Sequence, residues 1–253
     1  EDRNALRVGL AKALLSDEAR VDDAIQVLRE ALFDQPGHPA ALELLSGSLE
    51  RAGKTDELIE LLRDQLMGAQ DRRDIGVIKA TSLKLGQLVA HDDAIAIYRD
   101  ALGYGDDEEL LGLLLGLLGP DHDMGERALL GERLLALLRG GEAATLARSV
   151  ASLYAELGDA SGQLRALEMG LERSPDDAGI RDELERYYRE QGDHGGLARV
   201  LVATAEASDD PKRKLSLLRE AAVVYRDQLS DPNGAIELLE RARALAPDDL
   251  GLC

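Results

Sequence analysis

The chain of 253 residues holds one cysteine, Cys253, at its last position. A single cysteine cannot pair within the chain, so no internal disulfide framework holds the fold, and a cysteine-built zinc site is excluded. Tryptophan is absent, phenylalanine occurs once, and aromatics total 3%. With 45% apolar residues, the core must come from Leu and Ala, which suits close-packed helices better than a β-sandwich. The most apolar stretch, Leu110 to Leu118, is far shorter than the roughly 20 residues that span a bilayer, so membrane insertion is not expected. No secretory signal is visible near the start, but the chain opens with Glu1 rather than Met, which leaves room for an upstream leader or region. We expect a cytoplasmic protein, with a periplasmic or envelope-associated one as the alternative. Positive charge is scarce: 30 Lys and Arg face 49 Asp and Glu, a net charge of −19. Such a field repels phosphate backbones, so nucleic acid is not an expected partner. Catalytic signatures are missing too. There is no glycine-rich phosphate loop after a strand, no nucleophile elbow and no paired catalytic carboxylates. We expect no enzyme activity, no cofactor and no metal.

What the chain does have is a repeat. Gly158-Asp159 recurs as Gly192-Asp193, and Tyr154 and Tyr188 sit four residues before each Gly. Upstream, Ala24 and Leu58 hold equivalent places at the same interval. A fixed period of about 34 residues signals stacked helical pairs. Helical spacing with Pro and Gly punctuation predicts seven hairpins. They run from about Asn4 to Pro36, Pro39 to Gln70, Arg73 to Gly103, Asp106 to Gly140, Glu142 to Pro175, Asp177 to Asp209, and Pro211 to Pro247. Asp210-Pro211 and Asp231-Pro232 suit an Asp cap with Pro at the first helical position. Asp123 and Glu126 have capping-box spacing. Pro175-Asp176-Asp177 and Pro247-Asp248-Asp249 read as one punctuation used twice.

The fourth hairpin is the least regular. Its first helix is apolar on nearly every face, so burial on both sides is expected. Gly112 and Gly116, one turn apart, would admit a neighbouring backbone, and the second helix, about Met124 to Arg139, reads as long. Both ends read as cut: Asp248-Asp249-Leu250 resembles the start of another helix. We expect 1–253 to be a single helical repeat domain, a fragment of a longer array or one whose ends pack on a partner.

These residues resemble the tetratricopeptide repeat, and the chain is similar to bacterial multi-repeat members of that family. In the fifth hairpin Val150, Ala151, Tyr154, Gly158, Leu167 and Pro175 fall at its pattern positions; in the sixth, Leu184, Tyr188, Gly192 and Leu201 do. In the second, Leu42, Leu45, Leu49, Gly53, Leu58 and Leu62 fit. In the seventh, Ala221, Ala222, Tyr225, Ala235, Leu239, Ala242 and Pro247 fit with one extra loop residue. The first and third hairpins match less closely, and the fourth departs most. The resemblance implies an all-α, right-handed α-solenoid of about seven antiparallel helical hairpins. Its concave groove would be lined by the first helix of each pair and would bind peptides or proteins.

By the family's spacing, Arg148, Arg186, Arg189, Arg219 and Arg226 should face the groove of the C-terminal half. Converging guanidinium groups clamp carboxylates bidentately, which would select an acidic peptide segment. The competing reading is ordinary helix-surface pairing. Asp182 precedes Arg186 by four residues and Glu185 precedes Arg189 by four, the favourable order for intrahelical ion pairs. Members that grip a C-terminal carboxylate carry Lys and Asn at set groove positions. Here those places hold Glu43 and Gly47, and Arg148 and Ser152, so that clamp is not reproduced. Asp121, Asp123 and Glu132 have only a partial calcium-loop spacing, and helix capping explains them better. His38, His91, His122 and His194 fall in predicted turns without ligand spacing, and read as solvated. Tyr154, Tyr188 and Tyr225 recur at one position and read as packing residues. The function expected is a non-catalytic scaffold for a protein or peptide. The alternatives are a regulatory or sensor arm of a larger enzyme or transcription regulator, and a module that self-associates through its terminal helices.

Overall fold

The computed structural model describes residues 2–246. Pro247, Asp248, Asp249, Leu250 and Cys253, named above, lie outside the described residues. The described part is all α-helical apart from turns and a short 3-10 segment, Glu18–Arg20. The chain divides into two compact units, Glu1–Leu118 and Gly119–Cys253. Unit 1 holds α1 (Asp2–Leu14), α2 (Val21–Asp34), α3 (Pro39–Arg51), α4 (Thr55–Arg72), α5 (Ile75–Gly86), α6 (His91–Ala101) and α7 (Glu108–Leu117). Unit 2 holds α8 (Met124–Leu137), α9 (Gly140–Glu156), α10 (Ala160–Arg173), α11 (Ala178–Gln191), α12 (His194–Ala207), α13 (Pro211–Asp227) and α14 (Pro232–Leu245). Within each unit every helix packs on its sequence neighbours, the organisation of a helical-hairpin solenoid. The boundary between the units falls in the turn of the fourth hairpin.

The repeated Gly-Asp pair explains the turns. Gly158 and Gly192 take φ values of 73° and 68°, in the left-handed region that glycine enters without steric cost. The following amides then close the helix: Asp159 N–H donates to Tyr154 O at 2.9 Å, and Asp193 N–H to Tyr188 O at 3.0 Å. The same Asp starts the next helix, for Asp159 and Asp193 accept from Gly162 N–H and Gly196 N–H. One dipeptide therefore ends one helix and caps the next. Asp74, Asp107, Asp123, Asp177, Asp210 and Asp231 cap other helices in the same way. Each such cap is worth about 1 kcal/mol. Part of the excess acidity thus serves helix starts.

Alanine and leucine form the cores, as composition requires. Unit 2 buries Ala143, Ala144, Ala147, Ala166, Ala198, Ala205 and Ala221 completely, between Leu135, Leu167, Leu184, Leu201 and Leu218. Glycine brings the helices closer still, but not where the sequence suggested. A Cβ at Gly112 or Gly116 would meet nothing within 4 Å. α7 buries one stripe, Leu110, Leu111 and Leu114, while Leu113 is 36% exposed, so it is not covered on both sides. The close approaches lie elsewhere, as at Gly86 on α5 against the Tyr98 ring and at glycines of second helices in unit 2. A Cβ on Gly170 would overlap the Ala147 Cβ, and one on Gly131 would lie 2.5 Å from Val150. Nor is α8 long: its 14 residues equal those of α10, α11, α12 and α14.

The recurrent tyrosines are packing residues. Tyr154 and Tyr188 are 5% and 2% exposed. Each ring, and that of Tyr225, lies where a Cβ would stand on a second-helix glycine: Gly162, Gly196 and Gly234.

Candidate peptide-binding groove

In unit 1 the first helices α3 and α5 face each other across a groove of about 890 Å³. Its walls carry Leu42, Glu43, Ser46 and Gly47 from α3, and Val77, Ala80, Thr81 and Lys84 from α5; Leu62, Gln65 and Arg72 of α4 also line it. The two first helices are tied at one point. Lys84 Nζ lies 2.7 Å from a Glu50 carboxylate oxygen and 2.9 Å from Ser46 Oγ. That hydrogen bond and the ammonium charge hold the Glu50 carboxyl below its ordinary range. The remaining charges are mixed: Arg51, Arg72 and Lys84 share the lining with Glu43 and Asp74. Gly47 is central to the shape. A Cβ there would meet nothing within 4 Å, so its missing side chain leaves open space. Glu43 and Gly47, set aside in the sequence for lacking a carboxylate clamp, both line the groove. The legible signal was a glycine amid the leucines of a first helix.

The arginines of unit 2 are placed differently from one another. Arg148 on α9 reaches the next hairpin, its Nη1 lying 3.0 Å from Asp177 Oδ1, the cap of α11. Arg189 on α11 meets Glu185 and Glu220, each at 2.5 Å. Arg226 pairs with its neighbour Asp227 at 2.6 and 2.9 Å, and the guanidinium holds the Asp227 carboxyl below its usual range. Arg219 is half-buried on α13, and Arg186 is exposed on α11. Asp182, the expected partner of Arg186, lies instead 3.9 Å from Arg213 of the next hairpin. The Glu185–Arg189 pair forms at its expected spacing.

The other candidates have local roles. Asp123 Oδ1 accepts from Glu126 N–H at 2.7 Å, and Glu132 lies 3.4 Å from Arg165, so both are engaged away from a calcium-loop arrangement. His38 is the cap of α3: its Nδ1 accepts from Ala41 N–H. His91 and His194 open α6 and α12, and His122 lies in the turn before α8. Among the described residues no group of His, Cys, Asp and Glu is arranged to hold a metal ion. No described helix is long and apolar enough to cross a membrane.

No protein-family model matches the chain. Among curated proteins it is 28% identical to cellulose synthase operon protein C of Xanthomonas axonopodis pv. citri (strain 306), over 92% of this chain. The chain spans 17% of that protein's length. Among solved structures it is similar to a tetratricopeptide repeat protein from Parabacteroides merdae ATCC 43184, at 15% identity and a TM-score of 0.43, covering 100% of this chain and 96% of that one. It is also similar to a thermophilic TPR protein of Thermus thermophilus, at 21% identity and a TM-score of 0.30, covering 74% of this chain and 97% of that one.

Proposed function

We propose that this array of tetratricopeptide-type hairpins is a non-catalytic scaffold that holds a peptide or protein segment in the groove between α3 and α5. The observation that supports it most is the groove itself. Two adjacent first helices stand apart over Gly47, with apolar contacts from Leu42, Val77 and Ala80 and charges of both signs at the edges. A volume of about 890 Å³ is in the range that receives several side chains. Mixed walls suit a segment that alternates apolar and charged residues, with Glu43 and Lys84 selecting its register. In unit 2 the same reading divides the arginines by role. Arg148 and Arg189 join adjacent hairpins, and Arg186, which carries no ion pair among the described residues, is offered to an acidic segment of a partner.

The test is affinity capture from the source cells with the groove closed. Gly47→Trp projects an indole into open space without disturbing the core. A partner captured by the natural chain and lost on Gly47→Trp, with the melting temperature unchanged, is the expected result. A partner retained by that variant ends the reading. Retention on Arg186→Ala would remove only the arginine contact.

A second reading has this chain as an arm of a longer protein. It rests on the likeness to a short stretch of cellulose synthase operon protein C. On this reading an immunoblot of source cells shows a species much larger than 27.3 kDa; a band at that mass ends it.

A further inference from the structure

Unit 2 uses one three-residue device twice. The buried Tyr188 of α11 donates its hydroxyl to Glu168 Oε1 of α10 at 2.5 Å, with Arg199 of α12 beside the pair. Tyr154, Glu132 and Arg165 stand one repeat earlier in the sequence. Arg165 lies 5.6 Å from the Tyr154 ring centroid and 3.4 Å from Glu132. In both, a first-helix tyrosine sits between a glutamate of the second helix before it and an arginine of the second helix after it. In the second copy the tyrosine hydroxyl bonds the glutamate, and in the first the arginine reaches the glutamate directly.

Beside the second copy a cleft of about 710 Å³ opens between α10 and α12. Leu184 and Tyr188 of α11 line it together with Leu171, Val200 and Ala203. Its charged lining is unbalanced, with Arg199 facing Glu168, Glu172, Asp176 and Glu206. Glu168 is held by Tyr188, and Glu206 lies 2.9 Å from Arg241. Glu172 and Asp176, four residues apart, are exposed at the cleft and carry no ion pair among the described residues. Acids at other inter-hairpin contacts meet a cation, as in Asp22–Lys54, Asp93–Arg63 and Glu220–Arg189. An apolar slot with two unpaired carboxylates at its edge is complementary to an apolar side chain with a cation next to it.

We propose that the α10–α12 cleft docks a basic segment of a partner protein. An aliphatic or aromatic side chain enters over Leu171 and Ala203, and the adjacent Lys or Arg lies against Glu172 and Asp176. The site lies within unit 2 and shares no residue with the α3–α5 groove, so Gly47→Trp leaves it intact.

The experiment selects a display library of random dodecapeptides on the natural chain and on Ala203→Trp. Ala203 is exposed on α12, so the indole fills the cleft without entering the core. Recovered peptides are then titrated against Glu172→Gln/Asp176→Asn and against a control with the same charge change, Glu237→Gln/Glu240→Gln on α14. Peptides recovered on the natural chain and lost on Ala203→Trp are expected to place Lys or Arg within two positions of Leu, Ile, Met or Phe. Their affinity is expected to fall about ten-fold on the cleft double variant and less than about two-fold on the control. Three results overturn the proposal: no peptide depends on the cleft, the cleft-dependent peptides are acidic or uncharged, or the control loses as much affinity as the cleft variant. The last would mean general attraction to an acidic protein.

Discussion

Arg189 joins two first helices through one guanidinium, 2.5 Å from Glu185 of its own helix α11 and 2.5 Å from Glu220 of α13. The arrangement recurs with other residues. Arg148 reaches Asp177, Lys84 reaches Glu50, Lys79 reaches Asp107 at 2.7 Å, and Arg29 reaches Glu57. Each pair links equivalent helices of adjacent hairpins. In a chain with few cations, many of them are used to bind one repeat to the next.

The Arg189–Glu220 pair should therefore show measurable coupling. Both side chains are nearly half exposed, so the energy is modest. A double-mutant cycle of Arg189→Ala and Glu220→Gln is expected to give about 0.5–1 kcal/mol in urea unfolding. The value should shrink at about 1 M salt, where screening acts within a few ångströms. Zero coupling at low salt would reduce these pairs to incidental surface contacts.

Glycines at the tyrosine rings and glycines on α7 should respond in opposite directions to alanine. A Cβ on Gly196 would overlap the Tyr188 ring, so Gly196→Ala is expected to cost about 1–3 kcal/mol through overpacking. Tyr188→Leu, which removes the ring, should reduce that penalty. Gly112→Ala and Gly116→Ala enter open space within a helix and should each stabilise unit 1 by about 0.5–1 kcal/mol. Destabilisation by either α7 change would mean that its face is covered.

Arg73 closes α4 with φ 53°, a left-handed conformation that costs a residue bearing a Cβ about 1 kcal/mol. Arg73→Gly relieves it, and a rise in the unfolding midpoint is expected. Arg73→Val, with its branched Cβ, should lower the midpoint.

Much of this was legible in the sequence, for identifiable reasons. The Gly-Asp and Asp-Pro pairs are complete local instructions, since one residue sets the left-handed turn and the next caps the following helix. With helical spacing, they placed the later hairpins. α7 could not be oriented, because a helix with Leu at nearly every other position has no polar face to mark the outside. The partners of the arginines were equally hidden, because Glu220 and Asp177 lie 31 and 29 residues from Arg189 and Arg148. Local i,i+4 spacing found Glu185–Arg189 but misled for Asp182. The glycines beneath the tyrosines did leave a trace: Gly162 and Gly196 recur at the same interval as Tyr154 and Tyr188.

Acid should loosen the repeats through these pairs. The Lys84 hydrogen bond and charge lower the Glu50 carboxyl, and Arg7 does the same to Asp34. A carboxyl whose folded value lies below its unfolded one stabilises the fold at pH above the unfolded value, and that contribution is lost as pH falls through the folded one. The window opens near the ordinary carboxylate values of 4.5 and 3.8 and extends below them. Thermal melts should thus fall through that range, and Glu50→Gln should fall less steeply. An equal slope in the variant would remove Glu50 from the account.

The most direct test of the groove is its footprint. Hydrogen exchange is measured on the chain alone and with the captured partner, for the natural protein and for Gly47→Trp. Exchange is expected to slow over α3 and α5, Pro39–Arg51 and Ile75–Gly86, in the natural protein and not in the variant. Protection elsewhere with α3 and α5 unchanged would contradict it.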